Sequence, residues 1–300
     1  MSVISADQLT KSYGKSRGII NLDLSVDEGE FFGFIGPNGA GKSTTIRTLL
    51  GLIYPTSGRA EIFGKDIVKQ KKEILADLGY MPSEAFFYSG MSVREVIALS
   101  AKLRKADCGK ETDVLCERLG LDTAKRVDEL SLGNRKKVSV VCALQHKPKL
   151  CVLDEPTSGL DPLIQKEFFD ILKERHSEGA TIFLSSHILS EIQKNCSRAA
   201  IIKDGRLIAL DSMENLSKTN AKRVTLHGVK TVPAELGARN AETAGDCVSF
   251  LYSGDIKLLL SVAQKLPIYD MTVTEPGLDE IFMHYYDSDN RGSAKDGEKA

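Results

Sequence analysis

Residues Gly36–Thr44 read GPNGAGKST, a pattern that fits G-x-x-x-x-G-K-[ST] and tightly restricts the surrounding fold. It works only where a β-strand runs into a glycine-rich turn that opens a helix, because the backbone N–H groups must converge on an anion. The flanks meet that demand. FFGFIG on the amino side is rich in β-formers, and STTIRTLLGLI on the carboxyl side is an apolar-periodic helix that closes near Gly51. Gly36, Gly39 and Gly41, with Pro37, Asn38 and Ala40 between them, let the amides turn inward. Lys42 supplies a full positive charge, the Ser43 hydroxyl can coordinate Mg²⁺, and Thr44 continues the first turn. A plain glycine-rich turn would not need the lysine or the strand–loop–helix context.

The rest of the chain supplies a sheet for that loop. VISADQLTKSY and IINLDLSVDEGE read as strands, so residues 2–35 are all β. From 91 to about 146 the chain reads as helical, with Ser92 and Glu95 as a capping box and KKVSVVCALQ as a second apolar helix after Ser131. LCVLDE and ATIFLSS are continuous apolar runs suited to strands buried on both faces. Between them DPLIQKEFFDILKER is a helix with Pro162 at its first position. AAIIKDGRLIALDS predicts a hairpin turning at Asp204-Gly205. Alternating strands and helices predict an α/β core with a parallel sheet.

LCVLDEPTSGLD adds the second chemical element. Asp154 falls at the end of a buried strand, where a carboxylate would meet the phosphate loop at the sheet's carboxyl edge and hold Mg²⁺ through water. Glu155 follows at once, and a second carboxylate is what activation of an attacking water requires. The bland alternative is two ordinary acids at a strand end.

The formal net charge of -1 gives no overall pull toward nucleic acid or acidic lipid, and 42% hydrophobic with 27% charged residues is ordinary for a globular chain. The six cysteines contain no Cys-x-x-Cys pair, and Cys142 and Cys151 sit inside apolar runs, which fits reduced thiols better than disulfides or zinc. No signal-peptide pattern is visible, and no run approaches the ~20 apolar residues that span a bilayer.

LSLGNRKK, at Leu130–Lys137, stands shortly before the acidic strand, and no Asn-Lys-x-Asp guanine-reading sequence is present. That order of motifs resembles the ATP-binding cassette (ABC) ATPases, whose signature is usually LSGGQ. Here Leu132 replaces the first glycine and Asn134 the glutamine, while Ser131 and Gly133 match. The resemblance implies a P-loop NTPase of ABC type: a RecA-like parallel sheet, an N-terminal antiparallel β subdomain and a helical subdomain. It implies that Ser131 and Gly133 touch the γ-phosphate of ATP held by the other subunit of a homodimer; Ser131 also suits a helix N-cap, and both can hold at once. Tyr13 matches the aromatic residue that stacks on adenine, and it also reads as a surface strand tyrosine. Asp161, in SGLD, matches the loop that reaches across the dimer, or caps the helix at Pro162. His187, in LSSHILSE, matches the histidine that touches the γ-phosphate and orients the water. His146, His176, His227 and His284 have no such context and read as structural or exposed.

One position departs from the family. Its members usually carry glutamine after a Gly-Tyr-x-Pro-like stretch, approaching Mg²⁺; GYMPSE puts Ser83 there, followed by Glu84. A hydroxyl reaches less far, so either Glu84 or a bridging water compensates, or the loop is chiefly a coupling surface.

The expected organisation is an ABC-type ATPase domain over 1–216, with a helical subdomain over about 84–145. The polar stretch 217–223 reads as a linker. A small α+β domain over 224–286 follows, built on VSFLY, IYDMTVTE and two amphipathic helices. One helix carries Ile256, Leu259, Leu260 and Ala263 on its apolar face, the other Leu278, Ile281, Phe282 and Tyr285; 287–300 has nothing to bury. TEPGLDEIFMHYY resembles the appended domain of the drug, bacteriocin and antibiotic exporter branch. The expected function is ATP hydrolysis, with Mg²⁺, powering a separate integral membrane permease. Glu155, His187 and Lys42 would be catalytic, Ser43, Asp154 and Ser83 near the metal, and nucleic acid no partner. Docking is expected near 83–105, and the chain would sit on the cytoplasmic face of the cell membrane. The rival functions are a soluble ABC ATPase working on nucleic acid or ribosomes, and a regulatory module that binds ATP without hydrolysis.

Overall fold

In β1 (Ser2–Tyr13), Ile4, Ala6 and Leu9 are buried while Ser5, Asp7 and Gln8 face water. The alternation is reset by an irregularity between Ala6 and Leu9, where Gln8 takes φ 48°. The computed structural model describes residues 1–14, 16–217 and 222–274, and contacts divide the chain into two units, Met1–Met213 and Glu214–Ala300.

In the first unit β1 pairs antiparallel with β2 (Ser16–Asp27). β3 (Phe31–Ile35) is buried along its whole length and leads through the Gly36–Gly41 turn into α1 (Lys42–Leu49), which ends before Gly51 at φ 61°. β4 (Ser57–Ile62) and β5 (Lys65–Asp66) complete an antiparallel sheet of order β2-β1-β4-β5. After α2 (Lys71–Ala76) comes β6 (Leu78–Met81), a strand that no run in the sequence announced. It is short and holds Gly79, where a side chain would strike the Ala143 oxygen at 2.3 Å, so the glycine that hides the strand lets a helix approach it.

Three helices follow: α3 (Val93–Arg104), α4 (Gly109–Arg118) and α5 (Leu132–Leu144). The Ser92/Glu95 capping box is formed at α3, with Ser92 N–H donating to Glu95 Oε2 at 2.7 Å. Then β7 (Leu150–Asp154), α6 (Pro162–Ser177), β8 (Thr181–Ser186), α7 (Leu189–Asn195), β9 (Arg198–Lys203) and β10 (Arg206–Ser212) complete the unit. The Asp204-Gly205 hairpin is present, with φ 47° and 79° at the turn and Lys203 opposite Arg206. The central sheet runs β10-β9-β3-β8-β7-β6, parallel except for β10. One apolar cluster joins both sheets, from Ile4, Leu9 and Leu22 to Phe32, Phe34, Ile46 and Phe183.

The second unit begins in α8 (Met213–Ser217) and holds β11 (Lys222–His227), β12 (Arg239–Ala244), β13 (Cys247–Tyr252), α9 (Ile256–Ala263) and β14 (Asp270–Thr274). Its sheet is antiparallel, of order β12-β13-β11-β14, over Val224, Leu226, Phe250 and Leu259. Two expectations need correcting here. The reading of 217–223 as a linker is too long, because Lys222 and Arg223 already pair with Tyr252 and Leu251 in a central strand; their charge masked it. The buried stripe of α9 is Leu259, Val262 and Ala263, whereas Ile256 and Leu260 are half-exposed on its flanks. The second amphipathic helix, His284 and the tail lie outside the described residues.

Candidate functional site

β3, β8 and β7 are neighbours, with Ile35 in register with Ser186 and Asp154 with Ser185. The residues that follow these strands (Gly36, His187 and Glu155) therefore emerge together at the sheet's carboxyl edge, where α/β folds place their ligands. Gly39 and Gly41 take φ 81° and 111°, and a side chain at Gly36 would strike the Ile202 oxygen at 2.5 Å. Ala40 is buried, Pro37, Asn38 and Gly39 are exposed, and Ser43 and Thr44 lie half-buried on the first turn of α1.

Lys42 is nearly sealed from water. Its Nζ donates to the Gly36 oxygen at 2.6 Å and the Pro37 oxygen at 3.1 Å, and it lies 3.0 Å from Glu155 Oε1 in an ion pair. The other carboxylate oxygen, Glu155 Oε2, accepts from His187 Nδ1 at 2.6 Å, and the imidazole is otherwise exposed. One carboxylate thus joins Lys42 and His187.

Glu155 sits at φ 50°, in the left-handed region that ordinary residues avoid. Its N–H donates to the Ser185 oxygen at 3.1 Å and to Ser185 Oγ at 3.2 Å, while its own carbonyl accepts from Lys136 Nζ. Burial lowers the Lys136 pKa from its ordinary value, against the opposing pull of Glu155, Asp154 and Glu191. Asp154 is completely buried. Its Oδ1 accepts from Ser185 Oγ at 2.7 Å, and its Oδ2 has no hydrogen-bond partner among the described residues. Nearby, burial and then the Asp154 charge raise the Tyr80 hydroxyl pKa, with Arg47 opposing. Ser186 Oγ donates to buried Glu191 at 2.7 Å and accepts from the Ile188 N–H at 2.9 Å, which fixes the backbone on either side of His187.

Ser131, Gly133 and Asp161 form a second group. Ser131 caps α5, its Oγ accepting from Asn134 N–H at 3.3 Å, and Asp161 caps α6, accepting from Ile164 N–H at 3.1 Å. Gly133 abuts the Glu155–Asp161 loop, since a side chain there would meet the Gly159 oxygen at 2.8 Å. Leu132, the residue in place of the family's glycine, is 62% exposed. Tyr13 ends β1 half-exposed beneath Lys11, whose Nζ stands 5.2 Å from the ring centre. Its hairpin flanks the loop, because Gly41 approaches the Gly18 oxygen closely enough for a side chain to meet it at 3.3 Å. Ser83 is half-buried beyond Met81, which is in register with Leu153, and no hydrogen bond among the described residues ties it to the cluster.

Sequence reasoning missed Ser185 and Lys136. Paired serines closing an apolar strand next to His187 were a usable signal for the first. Nothing local separates Lys136 from Arg135 and Lys137; only the turn of α5 buries it.

Known proteins resemble this chain in sequence and fold. The family model for "ABC transporter" matches residues 19–158. Bacitracin transport ATP-binding protein BcrA of Bacillus licheniformis is 36% identical over 289 residues, covering 94% of this chain and 86% of its own. The uncharacterized ABC transporter ATP-binding protein YhaQ of Bacillus subtilis is 32% identical over 94% of this chain and 97% of its own. A solved ATP binding subunit of an ABC transporter superposes with a TM-score of 0.68 at 28% identity, over 71% of this chain and 91% of that one. With its phosphate loop, paired acids and histidine gathered at one sheet edge, the chain belongs to the ABC transporter family, as an ATP-binding and ATP-hydrolysing subunit.

Proposed function

We propose that two copies of this chain close head-to-tail around two Mg-ATP and power a separate membrane permease. The observation that carries the catalytic reading is the single line of contacts from Lys42 through Glu155 to His187. Arriving phosphates offer Lys42 a stronger partner than the carbonyls of Gly36 and Pro37. Its departure frees Glu155 Oε1 to take a proton from the attacking water, while His187 keeps the other oxygen oriented. The Gly36–Thr44 amides and the amino end of α1 hold the phosphates, and Tyr13 stacks on adenine. Ser131 and Gly133 meet the γ-phosphate of the ATP on the opposite chain, with Asp161 beside them.

The residues present fit Mg²⁺. Asp154 Oδ2, unpartnered among the described residues, is an acceptor that a metal-bound water would satisfy, and Ser43 supplies a hydroxyl at the head of α1. Bound there, the ion would neutralise charge on the phosphate oxygens. Ser83 stands at the outer margin of this group, where it serves coupling to the permease more than metal binding.

The two units divide the work: 1–216 is the ATPase, with 84–145 as its helical subdomain, and 224–286 is an accessory domain. No helix among the described residues is long and apolar enough to cross a membrane. Relatives named as transport ATP-binding proteins support a transport path in another protein, with this chain at its cytoplasmic face. Exposed Phe86 and Tyr88 beyond Ser83 favour docking within 83–105. Relatives named for bacitracin transport, in Bacillus licheniformis and Enterococcus faecalis, favour an exporter. The near-zero net charge disfavours a nucleic-acid partner.

Turnover of the Glu155→Gln chain tests the catalytic reading. A loss of at least about 100-fold with ATP binding retained is expected, and turnover at the original rate would remove Glu155 from its role.

A further inference from the structure

α5 opens with Ser131 and Gly133 and, one turn later, buries a cation. Lys136 is 2% exposed, and its Nζ donates to the main-chain oxygen of Glu155. A buried ammonium usually pairs with a carboxylate. Glu155, Asp154 and Glu191 lie near enough to favour its charge, yet the hydrogen bond goes to a neutral carbonyl. For packing alone, an apolar side chain of similar volume would serve as well or better. The carbonyl it chooses belongs to the residue with the least favourable backbone in the site, Glu155 at φ 50°. Such a conformation persists only when its surroundings over-determine it. β8 fixes the N–H side through Ser185, and α5 fixes the carbonyl side through Lys136.

We propose that Lys136 is a positioning residue that holds the Glu155 backbone so that its carboxylate faces Lys42 and His187, and so links the helix reading the partner's ATP to this chain's own base. The inference rests on the reading of Glu155 as the base. Gly133 against the Gly159 oxygen gives α5 a second hold on the same loop. A shift of α5 when Ser131 and Gly133 engage the partner's nucleotide is therefore passed to the Glu155 carbonyl, and each site fires when the other chain has closed on it. Lys136 is closed to solvent and its Nζ reaches the Glu155 main chain, so it acts through Glu155.

The test compares Lys136→Met, Glu155→Gln and the double variant in the full chain with Mg-ATP. Removing one charge-assisted hydrogen bond should lower kcat by about 10- to 100-fold while KM for ATP moves by less than about 3-fold. In the Glu155→Gln background, the same substitution should change the residual single-turnover rate by less than about 2-fold. Should Lys136→Met not fold, Lys136→Gln carries the same comparison with the same split. A folded variant with unaltered kcat overturns the proposal, as does a further loss of about 10-fold on top of Glu155→Gln. Failure of the underlying reading looks different: there Glu155→Gln itself turns over normally.

Discussion

Lys42 Nζ stands 3.0 Å from Glu155 Oε1, and both side chains are almost closed to water. Before nucleotide arrives, the cation that suits phosphate and the carboxylate that suits proton abstraction neutralise each other. On the proposed role of Lys42, nucleotide has to compete for it against Glu155 and two loop carbonyls. Replacing it by alanine removes a charge-assisted contact worth about 1.5–3 kcal/mol, so ATP affinity should fall by about 10- to 100-fold. Titration with a fluorescent ATP analogue measures this, and an unchanged affinity would contradict the phosphate role of Lys42.

Asp154 Oδ2 is a buried acceptor without a donor among the described residues, which costs free energy unless water or metal-bound water fills the need. EDTA should stop turnover and added Mg²⁺ restore it. Asp154→Asn should raise the half-saturating Mg²⁺ concentration by about 10-fold or more, as loss of an outer-shell partner does. A variant with the original Mg²⁺ dependence would show that Asp154 lies outside the metal's reach.

Gly133 leaves room for a hydrogen but not a methyl, because a side chain would meet the Gly159 oxygen at 2.8 Å. Since that neighbour is backbone, Gly133→Ala forces the first turn of α5 away from the Glu155–Asp161 loop. The expected cost is about 1–3 kcal/mol of stability in denaturant unfolding, the usual size of an overpacking penalty. ATP turnover should fall with it, although alanine is the better helix former.

His146 is neutral in the fold. Its Nε2 donates to the Leu78 oxygen at 3.3 Å and its Nδ1 is buried without a partner among the described residues, so protonation would add a buried donor that none of them receives. Burial, and then Arg104, push its pKa down to about 4 from the ordinary 6.5. The unfolded chain therefore binds the proton first. Stability is fully present above about pH 6.5 and declines as pH falls toward about 4. Allowing for the ring's partial exposure, the loss should be about 1–2 kcal/mol. Urea unfolding at about pH 7 and about pH 4.5 should show this extra loss in the original chain relative to His146→Leu; equal slopes would contradict it.

Much of the central sheet could be read from the amino-acid order because burial on both faces leaves unbroken apolar runs, as in LCVLD and TIFLSS. The Asp204-Gly205 turn was legible because few residue pairs tolerate its two positive φ values. β6 was not, since its glycine serves α5 rather than the strand, and β11 was hidden behind Lys222 and Arg223. In the candidate site, the convergence of Lys42, Asp154, Glu155 and His187 on one sheet edge was legible from their order along the chain. Their mutual contacts were not, because they depend on the Glu155 backbone, which Ser185 holds at its N–H and buried Lys136 at its carbonyl, and nothing local in the sequence separates Lys136 from its neighbours.

The most direct measurement concerns the proposal that two chains share each active site. Glu155→Gln, loaded with Mg-ATP, should elute from a sizing column at twice the mass of one chain and return to one chain when ATP is removed. Adding Ser131→Arg, which places a bulky side chain where the partner's γ-phosphate should sit, should abolish the doubled species while ATP binding to the phosphate loop persists. An ATP-loaded Glu155→Gln chain that stays monomeric at every concentration tested, or a dimer indifferent to Ser131→Arg, would contradict a site completed by the opposite subunit.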